Sequence, residues 1–290
     1  MRFRGVIPAL VTPFTADQQV DLPGLRKLIE NLIEAGVHGL FVLGTNGEFF
    51  TLSEAEKLQI AETTVQAARG RVPVVIGTGA FATREVIEMN KKVTDLGADA
   101  LSVITPYFNA VSQVELTKHY EAIADASRLP LMMYNIPAKT GMSIGIGAVA
   151  ALHQHPMIKG IKDSAGNFDA LVQMMKYRSD DFAVFAGTDS LIYWNLLAGG
   201  DGAIAATANA VPHLVMQIWN SFQANDHAAA RQAQEALRPL RDAFAMGTMP
   251  SVLKAATQLL NVPVGPCRAP VQPLDAAALQ KLEALLAVYR

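Results

Sequence analysis

Eight short apolar runs rich in β-branched residues punctuate the 290-residue chain, and each is followed by Gly, Pro, Thr or Asn and then by a longer amphipathic stretch. The runs are residues 6–11, 39–43, 72–76, 100–104, 131–134, 159–162, 183–186 and 202–206. Most steps between their ends are about thirty residues, the length that one strand, one helix and their connections require. Strands apolar on both faces and alternating with helices imply a parallel sheet covered by those helices. No linker or break in composition divides the eight units, which favours closure into a (β/α)8 TIM barrel over the runner-up, an open doubly wound sheet. The expected organisation is a barrel over residues 1–211 and a C-terminal helical appendage over 212–290.

The amphipathic stretches carry their own start and stop signals. Leu25, Leu28, Ile29, Leu32 and Ile33 recur at helical spacing until Ala35-Gly36 ends the helix. Ser53, three residues before Glu56, reads as a capping box opening a helix from Glu54 to Ala68. From about Pro212 the pattern is helical to the end, with breaks at 247–250 and 262–273.

Charge and cysteine content narrow the partners. With 24 basic against 26 acidic residues, the chain offers no basic stripe with interleaved aromatics, so nucleic acid is not an expected partner. One cysteine, Cys267, cannot form an intrachain disulfide or a Cys-rich zinc site, and it fits a reducing, cytoplasmic setting. The apolar start is interrupted by Pro8 and Pro13 and reads as a first strand rather than a targeting or membrane segment.

In a barrel of this kind, chemistry sits at the C-terminal ends of the strands. After the second run, Gly44-Thr45-Asn46-Gly47-Glu48 offers backbone N–H groups and short polar side chains, a cradle for a small carboxylate or a plain Asn-Gly turn. The fifth run ends at Tyr134, whose hydroxyl can reach the barrel mouth as a proton shuttle or remain a solvated tip on a core residue. The sixth ends Gly160-Ile161-Lys162-Asp163-Ser164. Burial of Lys162 would strip its ammonium of water and favour the neutral amine, a nucleophile for carbonyl carbon; the alternative is a lysine that snorkels to the rim or pairs with Asp163. His153 and His155 lack the neighbours of a metal site and read as a solvated helix terminus, so neither a metal nor a cofactor is implied. The glycines of 199–202 precede the eighth run instead of following it and read as a turn, and Met174 and Met175 read as helix packing.

In this order, Pro8 to Phe14, Gly44-Thr45-Asn46-Gly47-Glu48, Gly77-Thr78-Gly79, Thr105-Pro106-Tyr107, Tyr134-Asn135-Ile136-Pro137, Gly160-Ile161-Lys162-Asp163 and Gly200-Asp201-Gly202 resemble the dihydrodipicolinate synthase and N-acetylneuraminate lyase family of pyruvate-handling class I aldolases. The resemblance spans the chain. It implies a homotetramer, a dimer of dimers, acting on a small 2-oxo acid and an aldehyde without a cofactor. It makes Lys162 the Schiff-base lysine and Tyr134 the proton relay, with Thr45 and Asn46 at the carboxylate and backbone support from Gly187 and Ile204.

The departures bear on the substrate. In the lysine-pathway synthase the second loop has two threonines, the fourth motif has a second tyrosine, and an arginine precedes the Thr-Gly after the fifth strand. Here those positions are Asn46, Phe108 and Lys139. Phe108 cannot transfer a proton, and Lys139 lacks the guanidinium fork. Asn46-Gly47-Glu48-Phe49, His155-Pro156, Lys162-Asp163-Ser164 and the 265–270 stretch are similar to 4-hydroxy-2-oxoglutarate aldolases, although Phe108 departs there too. The expected reaction is therefore reversible aldol cleavage of the 4-hydroxy-2-oxoglutarate or 2-keto-3-deoxy sugar acid type. Lysine-pathway condensation of pyruvate with aspartate semialdehyde is the alternative. A degenerate 2-oxo-acid-binding regulatory barrel is the non-enzymatic alternative, and a metal-dependent aldolase ranks last.

Overall fold

Each apolar run forms a strand because its β-branched side chains fit a pleated surface buried on both sides. In the computed structural model, which describes residues 3–260 and 262–290, the strands are β1 (Gly5–Pro8), β2 (Leu40–Val42), β3 (Val74–Gly77), β4 (Ala100–Ile104), β5 (Leu131–Asn135), β6 (Ile158–Asp163), β7 (Ala183–Ala186) and β8 (Gly202–Ala205). All neighbours pair in parallel in the order β1-β8-β7-β6-β5-β4-β3-β2. A parallel bridge from Ala9 to Phe41, with the Leu10 N–H donating to the Phe41 carbonyl at 2.8 Å, joins β1 to β2. The sheet therefore closes into the (β/α)8 barrel, which the open-sheet alternative does not describe.

Four strands, β1, β2, β3 and β8, are shorter than their apolar runs, and for two of them the cause is visible. Pro73 has no N–H for the ladder, so β3 begins at Val74 while the Pro73 carbonyl still accepts from Leu40. Leu10 and Val11 leave β1, and the Val11 N–H turns to the Asn209 side chain at 3.1 Å. The lumen is filled by Phe3, Ile7, Ala9, Phe41, Val75, Ala100, Met132, Ala183, Phe185 and Ile204.

Helices α1 (Leu22–Glu34), α2 (Glu54–Ala68), α3 (Thr83–Asp95) and α4 (Gln113–Asp125) follow β1 to β4, α5 (Pro137–Thr140) and α6 (Ile146–Leu152) both follow β5, and α7 (Phe168–Met174) and α8 (Ile192–Leu197) follow β6 and β7. The Ser53 hydroxyl accepts from Glu56 N–H and the Glu56 carboxylate from Ser53 N–H, the capping box expected for α2. After β8 come α9 (Pro212–Gln223), α10 (His227–Ala236), α11 (Arg238–Ala243), α12 (Ser251–Leu259) and α13 (Ala276–Leu286). Among the described residues, no helix is long and apolar enough to cross a membrane.

One buried ion pair ties this tail to the barrel. Glu48, inaccessible and at φ 53° in the loop after β2, accepts from Lys254 Nζ of α12 at 2.8 Å and from the Arg268 backbone N–H at 2.9 Å. Lys254 also donates to the Pro266 carbonyl at 2.7 Å, and burial lowers its pKa from the usual lysine range despite the Glu48 charge. The Arg268 guanidinium reaches Gln18, Thr51 and Glu56, holding the Glu56 carboxyl down to about 2. Removing one member of a buried pair strands the other, at roughly 3–5 kcal/mol. Lys254→Met is therefore expected to lower unfolding free energy by about that amount in urea titrations, and adding Glu48→Gln should recover part of it, because a neutral amide needs no counter-cation. No recovery in the double variant would show that charge burial is not the cause.

Candidate active site

The register of β5 against β6 brings the two strongest candidate side chains together. Tyr134 lies opposite Lys162 and Asn135 opposite Asp163. Side chains alternate along a strand, so Tyr134 shares the lumen face of Met132, while Ile161 packs outside and Lys162 turns inward. Lys162 is 3% exposed. Its Nζ stands 3.9 Å from the Tyr134 ring centroid and 4.9 Å from that of Phe41. Among the described residues no carboxylate pairs with it. Asp163 instead accepts from the Asn135 amide at 2.6 Å, and burial raises its carboxyl pKa. The alternative of a Lys162–Asp163 pair is not what the fold builds.

The loop after β2 completes the group. The Tyr134 hydroxyl lies 3.2 Å from the Thr45 hydroxyl. A turn closed by Gly47 N–H to Gly44 carbonyl and Glu48 N–H to Thr45 carbonyl, both 3.1 Å, leaves the Thr45 and Asn46 N–H groups without an internal acceptor among the described residues. Two adjacent free N–H groups beside a hydroxyl can receive an anion. Gly187 is needed for room, since a Cβ there would lie 2.1 Å from Ser164 Oγ and 2.9 Å from Lys162 Cε. Its N–H is engaged by the Asp163 carbonyl at 2.7 Å, so the close approach of backbone, rather than a free donor, is what Gly187 brings.

Lys162, Tyr134, Thr45, Asn46, Lys139, Gly187 and Ile204 line one cavity of about 180 Å³. Phe108 does not. It stands fully exposed at φ 76°, next to a half-buried Tyr107 that meets Phe49 edge-on at 5.9 Å. The same cavity has walls the sequence did not reveal. Ser164 contributes a buried hydroxyl without a partner among the described residues, and its place beside Lys162 in the motif was the available signal. Ile136, Thr188, Asp189 and Ala206 come from strand ends, while Arg241, Phe244 and Met249 come from the helical tail, where periodicity alone gave no hint of a site. His153 and His155 are occupied elsewhere, near the Ala150 carbonyl and the Asp125 carboxylate.

Comparison with known proteins identifies the family. A model of the dihydrodipicolinate synthetase family matches residues 2–288. The chain belongs to that family. It is 37% identical to the 4-hydroxy-tetrahydrodipicolinate synthase of Methanospirillum hungatei, over 99% of both chains. It is 39% identical to the one of Macrococcus caseolyticus, over 94% of this chain and 92% of that one. Among solved structures, it superposes with a TM-score of 0.95 and 37% identity on YagE, a prophage protein of Escherichia coli K12 belonging to the dihydrodipicolinic acid synthase family and crystallised with pyruvate, covering 99% of this chain and 98% of that one.

This family member has larger cavities away from Lys162. One of about 470 Å³ is lined by Lys254, Cys267 and mostly apolar residues, and one of about 910 Å³ lies between α9 and the chain end. In the first, Lys254 is held by Glu48, and burial pushes the Cys267 thiol up to about 12. Thiolate is the reactive form, so native Cys267 should react with a disulfide reagent at pH 8 slower than the unfolded chain by on the order of a hundredfold or more. Equal rates would show that the segment around it opens freely.

Proposed function

We propose that this chain is a Schiff-base-forming lyase that breaks and makes the C3–C4 bond of 4-hydroxy-2-oxo acids, releasing or consuming pyruvate. The observation that carries this reading is a buried lysine with no carboxylate partner among the described residues, its amine over the Tyr134 ring and the Tyr134 hydroxyl 3.2 Å from the Thr45 hydroxyl. A cavity of about 180 Å³, below the roughly 300–1,000 Å³ of drug-sized pockets, suits a small acid. The relative crystallised with pyruvate supports the same substrate class.

The chemistry follows from the placement. The Thr45 and Asn46 N–H groups and side chains hold the substrate C1 carboxylate. The Lys162 amine adds to the C2 carbonyl carbon, a proton reaches the oxygen through Tyr134, and loss of water leaves a protonated imine. That imine accepts the electron pair of the C3–C4 bond as it breaks, while the C4 hydroxyl gives up its proton through Tyr134 and the aldehyde departs. The enamine is protonated at C3, and water returns to C2 to free pyruvate and Lys162.

Condensation with aspartate semialdehyde is the second reading, favoured by the similarity to 4-hydroxy-tetrahydrodipicolinate synthases. Asn46 and Lys139, where the synthase has a threonine and an arginine, count against condensation. Comparing kcat/KM for aspartate semialdehyde and 4-hydroxy-2-oxoglutarate separates the two, and efficient use of the semialdehyde would restore the synthase assignment. We also infer a homotetramer, with exposed Phe50, Phe81, Phe108 and Val114 available for contact between copies; a monomeric mass by light scattering would refute it.

Borohydride added with pyruvate should trap a covalent adduct on Lys162, seen by mass spectrometry, and Lys162→Ala should abolish both adduct and turnover. Tyr134→Phe should lower kcat by a factor on the order of a hundred. A change confined to KM would make Tyr134 a binding residue instead.

A further inference from the structure

We propose that Arg241 is the specificity residue for the second component of the reaction, and that it selects a 4-hydroxy-2-oxo acid whose C4 substituent is a carboxylate, the cleavage product being an aldehyde acid. This rests on the Schiff-base reading above and narrows it.

Arg241 lies in the last turn of α11 and lines the cavity that contains Lys162. A cation at a helix C-terminus is ordinary, but its neighbour Arg238 illustrates the usual arrangement by approaching Asp242 at 3.9 Å. Arg241 has no carboxylate within ion-pair distance among the described residues. Its recorded contact is with the Phe244 ring, 5.2 Å from the centroid, and Phe244 lines the same cavity. A guanidinium stacked on an aromatic face keeps its edge N–H groups free for a carboxylate fork.

The other charges in the cavity leave that role open. The carboxylate oxygens of Asp189 accept from Ala206 N–H at 3.2 Å and Thr207 N–H at 2.6 Å, which ties this anion to the turn after β8. Lys139 adds a second cation from the opposite side of the chain's sequence, after β5. The C1 carboxylate has its own donors in the Thr45–Asn46 turn, so two further cations fit a second anion on the substrate. Small volume and the planar fork favour carboxylate, and a neutral sugar tail would leave both cations unmatched.

The test uses the full-length protein and two cleavage substrates, 4-hydroxy-2-oxoglutarate and its neutral counterpart 4,5-dihydroxy-2-oxopentanoate, with pyruvate release as the readout. Wild type is expected to prefer the diacid at least tenfold in kcat/KM. Arg241→Gln should reduce that ratio about tenfold or more, mainly through KM for the diacid, and Arg241→Lys should retain part of it. A ratio unchanged in Arg241→Gln, a wild type that prefers the neutral compound, or turnover of neither would overturn the assignment. Borohydride trapping of wild type with pyruvate is run alongside. A missing adduct sinks the Schiff-base reading itself, whereas a normal adduct with an unchanged ratio removes only the role of Arg241.

Discussion

A lysine amine inside a closed barrel, faced by aromatic rings rather than by a carboxylate, is the constraint around which the other features arrange themselves. An ion pair would hold Lys162 as an ammonium and remove its lone pair from chemistry. The neighbouring Asp163 is the obvious partner in sequence, yet the period of two along β6 sends the two side chains to opposite faces. Asp163 goes outward to Asn135, whose own carbonyl oxygen accepts from Ile144 N–H at 2.9 Å. The lumen thus keeps an amine, a phenol and a hydroxyl in sequence, and Gly187 supplies the space that the lysine stem occupies.

The helical tail is more than a cover for the barrel. Glu48 sits three residues after Thr45 in a loop with a left-handed residue, and its carboxylate is held by Lys254 and by the backbone of Arg268. The position of Thr45 and Asn46 therefore depends on contacts made by segments about two hundred residues downstream. Arg241, Phe244 and Met249 reach the cavity from the stretch before α12, so one part of the tail steadies the Thr45–Asn46 turn while another contributes to the cavity wall.

These features explain what could be read in sequence and what could not. The barrel was legible because burial on both faces gives each strand an apolar run, and a local cap such as Ser53 with Glu56 marks a helix start within four residues. Lys162, Tyr134 and Thr45 were legible because strand ends converge at one face in a barrel, which makes position along a strand a statement about space. The Glu48–Lys254 pair spans 206 residues and leaves no local pattern. Arg241 looked like any charged residue on an amphipathic helix. Gly187 lines the cavity, but the N–H expected to support a substrate is engaged through the pairing of β6 with β7, which could not be assigned from its neighbours.

Phe108 shows how a residue can matter to the argument and still stand outside the cavity. Its φ is positive, and nothing among the described residues covers its ring. A bulky residue in the left-handed region costs backbone energy of order 1–3 kcal/mol, which the surrounding structure must offset. Within one chain no contact of the ring provides that offset, whereas packing against a second copy would bury a large aromatic surface. Tyr107 turns the other way, onto Phe49, and burial together with the Glu85 charge raises its pKa. On the proposed reading, the Tyr134–Thr45 pair is the proton path within a single chain, and the choice between cleavage and condensation rests on what the cavity walls, Lys139 and Arg241 above all, present to the second substrate.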